Sequence, residues 1–281
     1  MRLAMLELNG RKGIAANDGE RFHALFEGDA GFPGSLESLI RNGADLVATG
    51  KKLLQAPPLV MGGARFLTPV SKPEKIICIG LNYAAHSSEV GREVPKFPEI
   101  FLRLPTSLVA HNEPIAKPPF SDQLDYEGEV GMVIGKKGRN IPKEKALEYV
   151  AGFSIFNDGS VRDFQFRTSQ WTMGKNFDAT GGFGPWLVTP DELPAGASGL
   201  HIQTRLNGDV LQDANTSDMI FDIPEQIAYL SQAMTLEPGD VFVTGTPSGV
   251  GVSRNPQRFM KPGDICEIEV ERIGILRNPI A

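Results

Sequence analysis

The sequence predicts a β-rich α+β fold, and three observations carry that prediction. Segments with strand-like spacing outnumber helical ones along the 281 residues. No regular alternation of strand and helix runs through them, which argues against a doubly wound parallel sheet. The 31 glycines and 21 prolines, many in turn-forming dipeptides, supply punctuation for numerous short connections. A chain of this length buries roughly three quarters of its unfolded surface, enough for one large domain or a large one with a smaller companion.

The elements follow in order. Met1-Arg2-Leu3-Ala4-Met5-Leu6-Glu7 reads as a first strand, because the acid at Glu7 comes too early for a secretory apolar core. Asn17-Asp18-Gly19 is a hairpin turn between short strands. Leu36, Leu39 and Ile40, then Leu46 and Val47, keep helical spacing across 36–54 with a break at Gly43. Pro57-Pro58 and Thr68-Pro69-Val70 punctuate the approach to a strong strand at Lys75–Gly80. A soft boundary near residue 70 divides a small N-terminal domain, 1–70, from a larger one, 71–281. Pro142 opens a helix through Val150 that stops at Gly152, following the preference for Pro first and Gly last. Asn207-Gly208 turns a hairpin between Leu200–Leu206 and Val210–Leu211. Pro224 opens a further helix with Ile223, Ile227, Leu230 and Met234 on one face. Pro-Gly-Asp turns at 238–240 and 262–264 lead into strands at Val241–Thr244 and Ile265–Val270.

Charge and composition exclude several function classes. A net charge of −6 argues against nucleic acid and anionic membrane surfaces as partners, since both need basic patches. No apolar stretch approaches the roughly 18 residues of a membrane span. Cys78 and Cys266 each sit inside an apolar run, without the spacing of a metal site or disulfide framework. Buried free thiols in a reducing cytoplasm are the expectation.

The most informative stretch is Asp125-Tyr126-Glu127-Gly128-Glu129-Val130, because the β-branched and apolar residues after it read as a strand. Side chains two apart on a strand share a face, about 7 Å apart. Like charges so placed repel unless something neutralises them. A third acid, Asp158, ends the strand-like run Gly152-Phe153-Ser154-Ile155-Phe156. Three carboxylates without Cys or His select a hard cation, Mg²⁺, Mn²⁺ or Ca²⁺. The same residues equally suit a turn cap at Asp158 and two solvent-facing acids on an edge strand. A non-catalytic Ca²⁺-stabilised binding module would also use them.

Upstream, Gly80-Leu81-Asn82-Tyr83-Ala84-Ala85-His86-Ser87-Ser88-Glu89 follows the Lys75–Gly80 strand. On a short helix His86 and Glu89 lie at i, i+3 and touch. Such a pair can take a proton from water, or can be a surface pair worth about 0.2–0.5 kcal/mol. Gly80 and Gly91 bracket the segment, as for a movable lid. Arg162 and Lys175 are cations able to hold a carboxylate or an enolate oxygen, or ordinary surface charges. Gly174-Lys175 lacks the spacing of a P-loop. Thr244-Gly245-Thr246-Pro247-Ser248-Gly249-Val250-Gly251 exposes amides able to cradle an anion, with Thr246 the side chain suited to a ligand.

Taken in order, Asn82-Tyr83, His86, Glu89, Asp125-Tyr126-Glu127-Gly128-Glu129, Phe156-Asn157-Asp158, Arg162-Asp163 with Gln165, Gly174-Lys175-Asn176-Phe177-Asp178 and the 244–251 loop resemble the fumarylacetoacetate hydrolase family. The resemblance covers about residues 70–281, and the N-terminal segment is similar to the longer bacterial members. It implies a mixed β-roll or incomplete barrel with flanking helices, and a homodimer. It implies one Mg²⁺ or Mn²⁺ on Glu127, Glu129 and Asp158, with His86 and Glu89 as a water-activating dyad on a lid. Lys175 takes a catalytic role, while Tyr83, Arg162, Gln165 and Thr246 match substrate contacts. Gly159, where many relatives carry a bulkier residue, is a departure that bears on pocket shape.

The activity so implied is a metal-dependent hydrolase cleaving the C–C bond of a 2,4-dioxo acid, of acylpyruvate or diketo-deoxy sugar acid type. His86, oriented by Glu89, would direct water at the distal carbonyl, and Lys175 would share the enolate charge with the cation. The alternative is a decarboxylase, isomerase or dehydratase acting on a related 2-oxo acid, none of which needs an attacking water.

Overall fold

Strand pairing begins at the first residues. In the computed structural model, which describes all 281 residues, Arg2–Leu8 and Arg11–Asn17 form a hairpin turned by Asn9 and Gly10, both at positive φ. Such a turn matches the right-handed twist of the strands it joins. The Asn17-Asp18-Gly19 turn then returns the chain as Phe22–Phe26. Arg2–Leu8 also pairs with Gly181–Val188, Arg2 opposite Val188 and Leu3 opposite Leu187. Residues 1–70 therefore add strands to the sheet that carries the remainder of the chain.

That sheet has eleven strands. Its main path runs Phe22–Phe26, Arg11–Asn17, Arg2–Leu8, Gly181–Val188, Val150–Asp158, Gly128–Ile134, Val241–Val243, Ile76–Gly80, Glu99–Arg103. Most neighbours are antiparallel, but Val241–Val243 runs parallel to Ile76–Gly80. A second sheet of four strands orders Asp209–Asn215, His201–Leu206, Ile265–Val270 and Gly274–Pro279. The large sheet does not close, so the architecture is the β-rich, incompletely barrelled one expected.

Alternation along Ile76–Gly80 shows how the layers form. Ile77 and Ile79 join the core shared with the small sheet and with the helix Ile223–Ala233. Ile76 and Cys78 face the opposite core, under the helices Leu36–Arg41 and Leu46–Leu53. Those helices start where Ser35 and Asp45 accept the amides of Ser38 and Ala48, and they part at Gly43, φ +65. They bury Leu36, Leu39, Ile40, Leu46 and Leu53, each worth roughly 1.5–3 kcal/mol.

One element departs from its sequence reading. The stretch after Pro142 forms 3-10 turns at Lys143–Tyr149, and Val150 already opens the strand Val150–Asp158. Gly152 is not a helix stop. A Cβ there would meet the Val188 carbonyl at 2.6 Å, so close passage of the neighbouring strand requires glycine.

His111 lies where the N-terminal strands meet the small sheet. Its ring stands edge-on to Phe66 with centroids 4.8 Å apart, and its Nδ1 accepts the Arg277 amide at 3.1 Å. Burial lowers its pKa from the usual 6.5 to about 4. The folded chain thus keeps a neutral ring that the unfolded chain protonates. Its contribution is complete above pH 6.5, declines on acidification, and is gone below about pH 4. Urea unfolding of His111→Gln and the parent chain at pH 7 and pH 4 should reveal a component of about 1–3 kcal/mol lost by the parent alone. Parallel pH profiles for the two chains would contradict this.

Candidate active site

Three carboxylates meet at the centre of the large sheet. Glu129 lies within Gly128–Ile134, and Asp158 ends the neighbouring Val150–Asp158. Phe156 opposes Glu129, and the Asp158 amide donates to the Glu127 carbonyl at 2.9 Å. One oxygen from each of Glu127, Glu129 and Asp158 falls within 4.8 Å of the others. Spacing alone places Glu127 on the same strand as Glu129, but the strand starts at Gly128. Leu124–Asp125 turns aside to pair with Ser160–Val161, and a Cβ at Gly128 would meet Thr204 Oγ1 at 2.1 Å. Convergence comes from that bend and from the neighbouring strand, not from period-two alternation.

All three acids are buried, and a framework of cations surrounds them. Lys175 Nζ donates to Glu127 Oε2 and Asp158 Oδ2, each at 2.6 Å. Arg103 donates to Asp158 Oδ1 at 2.6 Å and also to the Gly159 carbonyl, Ser107 Oγ and Thr180 Oγ1. Arg162 pairs with Asp125 at 2.8 Å and Glu127 at 2.7 Å, and donates to Gln165 Oε1 at 2.9 Å. Burial opposes ionisation of Glu127, yet Lys175 and Arg162 hold its carboxyl below the usual range. Glu129 has no cation of its own and accepts only the Gly245 amide. Burial, with Asp158 and Glu127 beside it, pushes Glu129 well above the usual carboxylate range.

Counting Asp125, four buried carboxylates face the three buried cations Arg103, Arg162 and Lys175. With all four ionised, one negative charge would go uncompensated, and it would fall on Glu129, which is why the pKa of that acid is raised. A divalent cation would reverse that sign, and the all-oxygen donor set suits a hard one. The residues present therefore fit a divalent metal ion.

Above the acids, His86 and Glu89 lie on the helix Ala84–Glu89, as the i, i+3 spacing predicts. His86 Nδ1 and Glu89 Oε1 are 2.7 Å apart, so the ring donates through Nδ1 and leaves Nε2 as the basic nitrogen. Glu89 Oε2 accepts the Gly249 amide at 2.8 Å. A cavity of about 170 Å³ is lined by His86, Glu127, Glu129, Asp158, Arg162, Gln165, Lys175 and Thr246. Ile79, Leu81, Val90, Phe101, Phe166 and Trp171 supply apolar wall.

Most residues singled out in the sequence converge here, with two qualifications. Tyr83 does not line the cavity: it is 2% exposed and its hydroxyl has no partner. Arg162 lines it but is already divided among Asp125, Glu127 and Gln165. Gly159 has a backbone cause rather than a pocket one, since a Cβ there would meet the Thr180 carbonyl at 2.1 Å. Sequence reasoning passed over Arg103, although a lone Arg closing the apolar run Ile100-Phe101-Leu102 is a signal of a buried charge. It also missed Gln212, which accepts the Gly128 amide at 2.9 Å and donates to Thr246 Oγ1 at 2.8 Å. No local pattern marks that residue.

The family model for the fumarylacetoacetate (FAA) hydrolase C-terminal region matches residues 75–281. The chain belongs to the fumarylacetoacetate hydrolase family. Among relatives, the mitochondrial oxaloacetate tautomerase fahd2 of Xenopus laevis is 39% identical over 274 residues, covering 96% of this chain and 86% of its own length. The solved fumarylacetoacetate hydrolase of Exiguobacterium antarcticum superposes with a TM-score of 0.86 at 35% identity, covering 100% of this chain and 99% of that one. The 5-carboxymethyl-2-hydroxymuconate delta-isomerase of Mycobacterium smegmatis gives 0.79 at 32% identity, with 100% and 98% covered. Fumarylacetoacetate hydrolase relatives thus bear the names of a hydrolase, a tautomerase and an isomerase on one fold. No helix of this family member is long and apolar enough to cross a membrane.

Proposed function

We propose that this chain enolises a small 2-oxo acid of the oxaloacetate type, interconverting its keto and enol forms, with Mg²⁺ or Mn²⁺ held by Glu127, Glu129 and Asp158. The observation that carries the reading is the meeting, in one cavity, of three buried carboxylates with a histidine whose Nδ1 is tied to Glu89. The tautomerase and isomerase names of the relatives support it over hydrolysis. A bound divalent cation would polarise the 2-oxo group and acidify the adjacent C–H.

The protein's own groups do the rest. His86 Nε2 accepts the proton from C3, the C–H pair becomes the C2=C3 bond, and the carbonyl π pair moves to oxygen. Glu89 stabilises the imidazolium so formed. Lys175 has three N–H donors and commits two of them, so the third is free for the developing oxyanion. Returning the His86 proton to that oxygen completes the enol.

Hydrolysis of a 2,4-dioxo acid is the second reading, favoured by the same dyad, which can activate water as readily as abstract a carbon-bound proton. Deuterium exchange at C3 of oxaloacetate, alongside product identification with acetylpyruvate, separates the two. The expected outcome is cation-dependent exchange without cleavage, reduced about 10²- to 10⁴-fold in His86→Gln while metal affinity persists. Release of acetate and pyruvate outpacing exchange would decide for the hydrolase. The unpaired thiols Cys78 and Cys266 fit a reducing compartment such as the cytoplasm. Ile100, Leu102 and Leu104, exposed on and beside the edge strand Glu99–Arg103, fit a homodimer, which sedimentation at a monomer mass would exclude.

A further inference from the structure

The cations lining the cavity differ in what already occupies them. Lys175 and Arg162 are engaged by the buried acids. Arg92 also lines the cavity, but it is exposed and pairs with no carboxylate. It stands just past the helix that bears His86. Gly91, at φ +69, ends that helix, and the Arg92 amide donates back to the Ser87 carbonyl at 2.8 Å. Its backbone is therefore held to the element that carries the base. Beyond Arg92 opens an outer chamber of about 550 Å³, which shares Arg92, Phe101, Phe166 and Trp171 with the inner one. Glu99 is the one acid of the outer chamber, and no ion pair joins it to Arg92.

We propose that Arg92 determines specificity at the substrate end remote from the three carboxylates, selecting 2-oxo acids that bear a second carboxylate. The inference rests on the enolisation reading of the site. A 2-oxo acid head directed toward Glu127, Glu129 and Asp158 sends its other end along Phe101, Phe166 and Trp171 toward the outer chamber. A carboxylate there would lose hydration against aromatic walls without compensation, unless a cation receives it. Arg92 is the uncommitted cation at that junction, and a guanidinium fork binds a carboxylate through two N–H groups. An uncharged tail gains nothing comparable from it.

The test compares deuterium uptake at C3 of oxaloacetate and of 2-oxobutyrate, which carries a methyl where oxaloacetate has its second carboxylate. Wild type, Arg92→Gln and Arg92→Lys are assayed at saturating Mg²⁺. Arg92→Gln should lower kcat/KM for oxaloacetate roughly 10- to 100-fold, mainly through KM, and for 2-oxobutyrate by a factor about ten times smaller. Arg92→Lys should recover part of the difference, because it keeps the charge but not the fork. Equal losses on both substrates, or no loss on oxaloacetate, would overturn the proposal. A second arm measures calorimetric binding of 3,3-difluorooxaloacetate, which has no C3 hydrogen to lose. Weaker binding by Arg92→Gln is expected, and an unchanged Kd overturns the role of Arg92. Wild type exchanging neither substrate would defeat the enolisation reading alone, with the binding arm still deciding Arg92.

Discussion

Replacing Glu129 by Gln should move activity and stability in opposite directions. Glu129 is the acid without a cation, and its raised pKa records the cost of ionising it beside Asp158 and Glu127. The amide keeps the shape of the side chain and an oxygen for the Gly245 N–H, while the uncompensated charge disappears. The metal-free chain should gain about 1–3 kcal/mol in urea unfolding at neutral pH with chelator present. On the enolisation reading, loss of one of the three proposed anionic ligands should at the same time lower cation-dependent C3 exchange by roughly a thousandfold or more, since several kcal/mol of charge stabilisation would depend on the cation. Active sites commonly sacrifice stability in this way. A Glu129→Gln chain that is less stable without metal, or that still exchanges C3 protons in a cation-dependent manner, would contradict the charge balance described above.

Lys175→Met should do the reverse in the absence of metal. Its ammonium, buried to 2% exposure, holds Glu127 and Asp158 together. Methionine fills similar volume but leaves two buried carboxylates facing each other, a loss of about 3–5 kcal/mol for an uncompensated buried charge. Added Mg²⁺ or Mn²⁺ should then raise the melting temperature of the variant more than that of the parent, because the cation supplies charge that the lysine no longer provides. On the same reading turnover should stay low even at saturating metal, since Lys175 is the proposed oxyanion donor. Equal metal-induced shifts in both chains would show that the ammonium and the cation do not serve the same acids.

The acids themselves are legible in the sequence because they sit at strand ends and announce themselves by proximity: Glu127 and Glu129 lie two apart, and Asp158 closes an apolar run. His86 and Glu89 are legible for a similar reason, since one helical turn suffices to join them. Their neutralisation is not legible. Arg103 and Lys175 reach Asp158 from 55 and 17 residues away, and only the sheet order and the helix Thr172–Lys175 bring them there. The cations also look alike in sequence, although Lys175 and Arg162 are committed to acids and Arg92 is not. The same distinction separates local from global pattern in the fold. Turns at Asn17-Asp18-Gly19 and Asn207-Gly208 are dictated by their own residues. The pairing of Arg2–Leu8 with Gly181–Val188 depends on surfaces nearly two hundred positions apart and leaves no short-range signature.

The loop from Thr244 to Gly251 touches both the acid cluster and the partner of His86. Its Gly245 amide meets Glu129, Thr246 Oγ1 donates to the Gly128 carbonyl at 3.0 Å, and the Gly249 amide meets Glu89. The Gly251 amide meets Asp125 at 2.8 Å. Glu89 thus spends one oxygen on His86 and the other on a backbone whose position is set by an acid of the cluster. A displacement of the helix that carries His86 would therefore pull, through Glu89, on the same loop that caps Glu129. One short loop thus couples the orientation of the histidine to the acids beneath it.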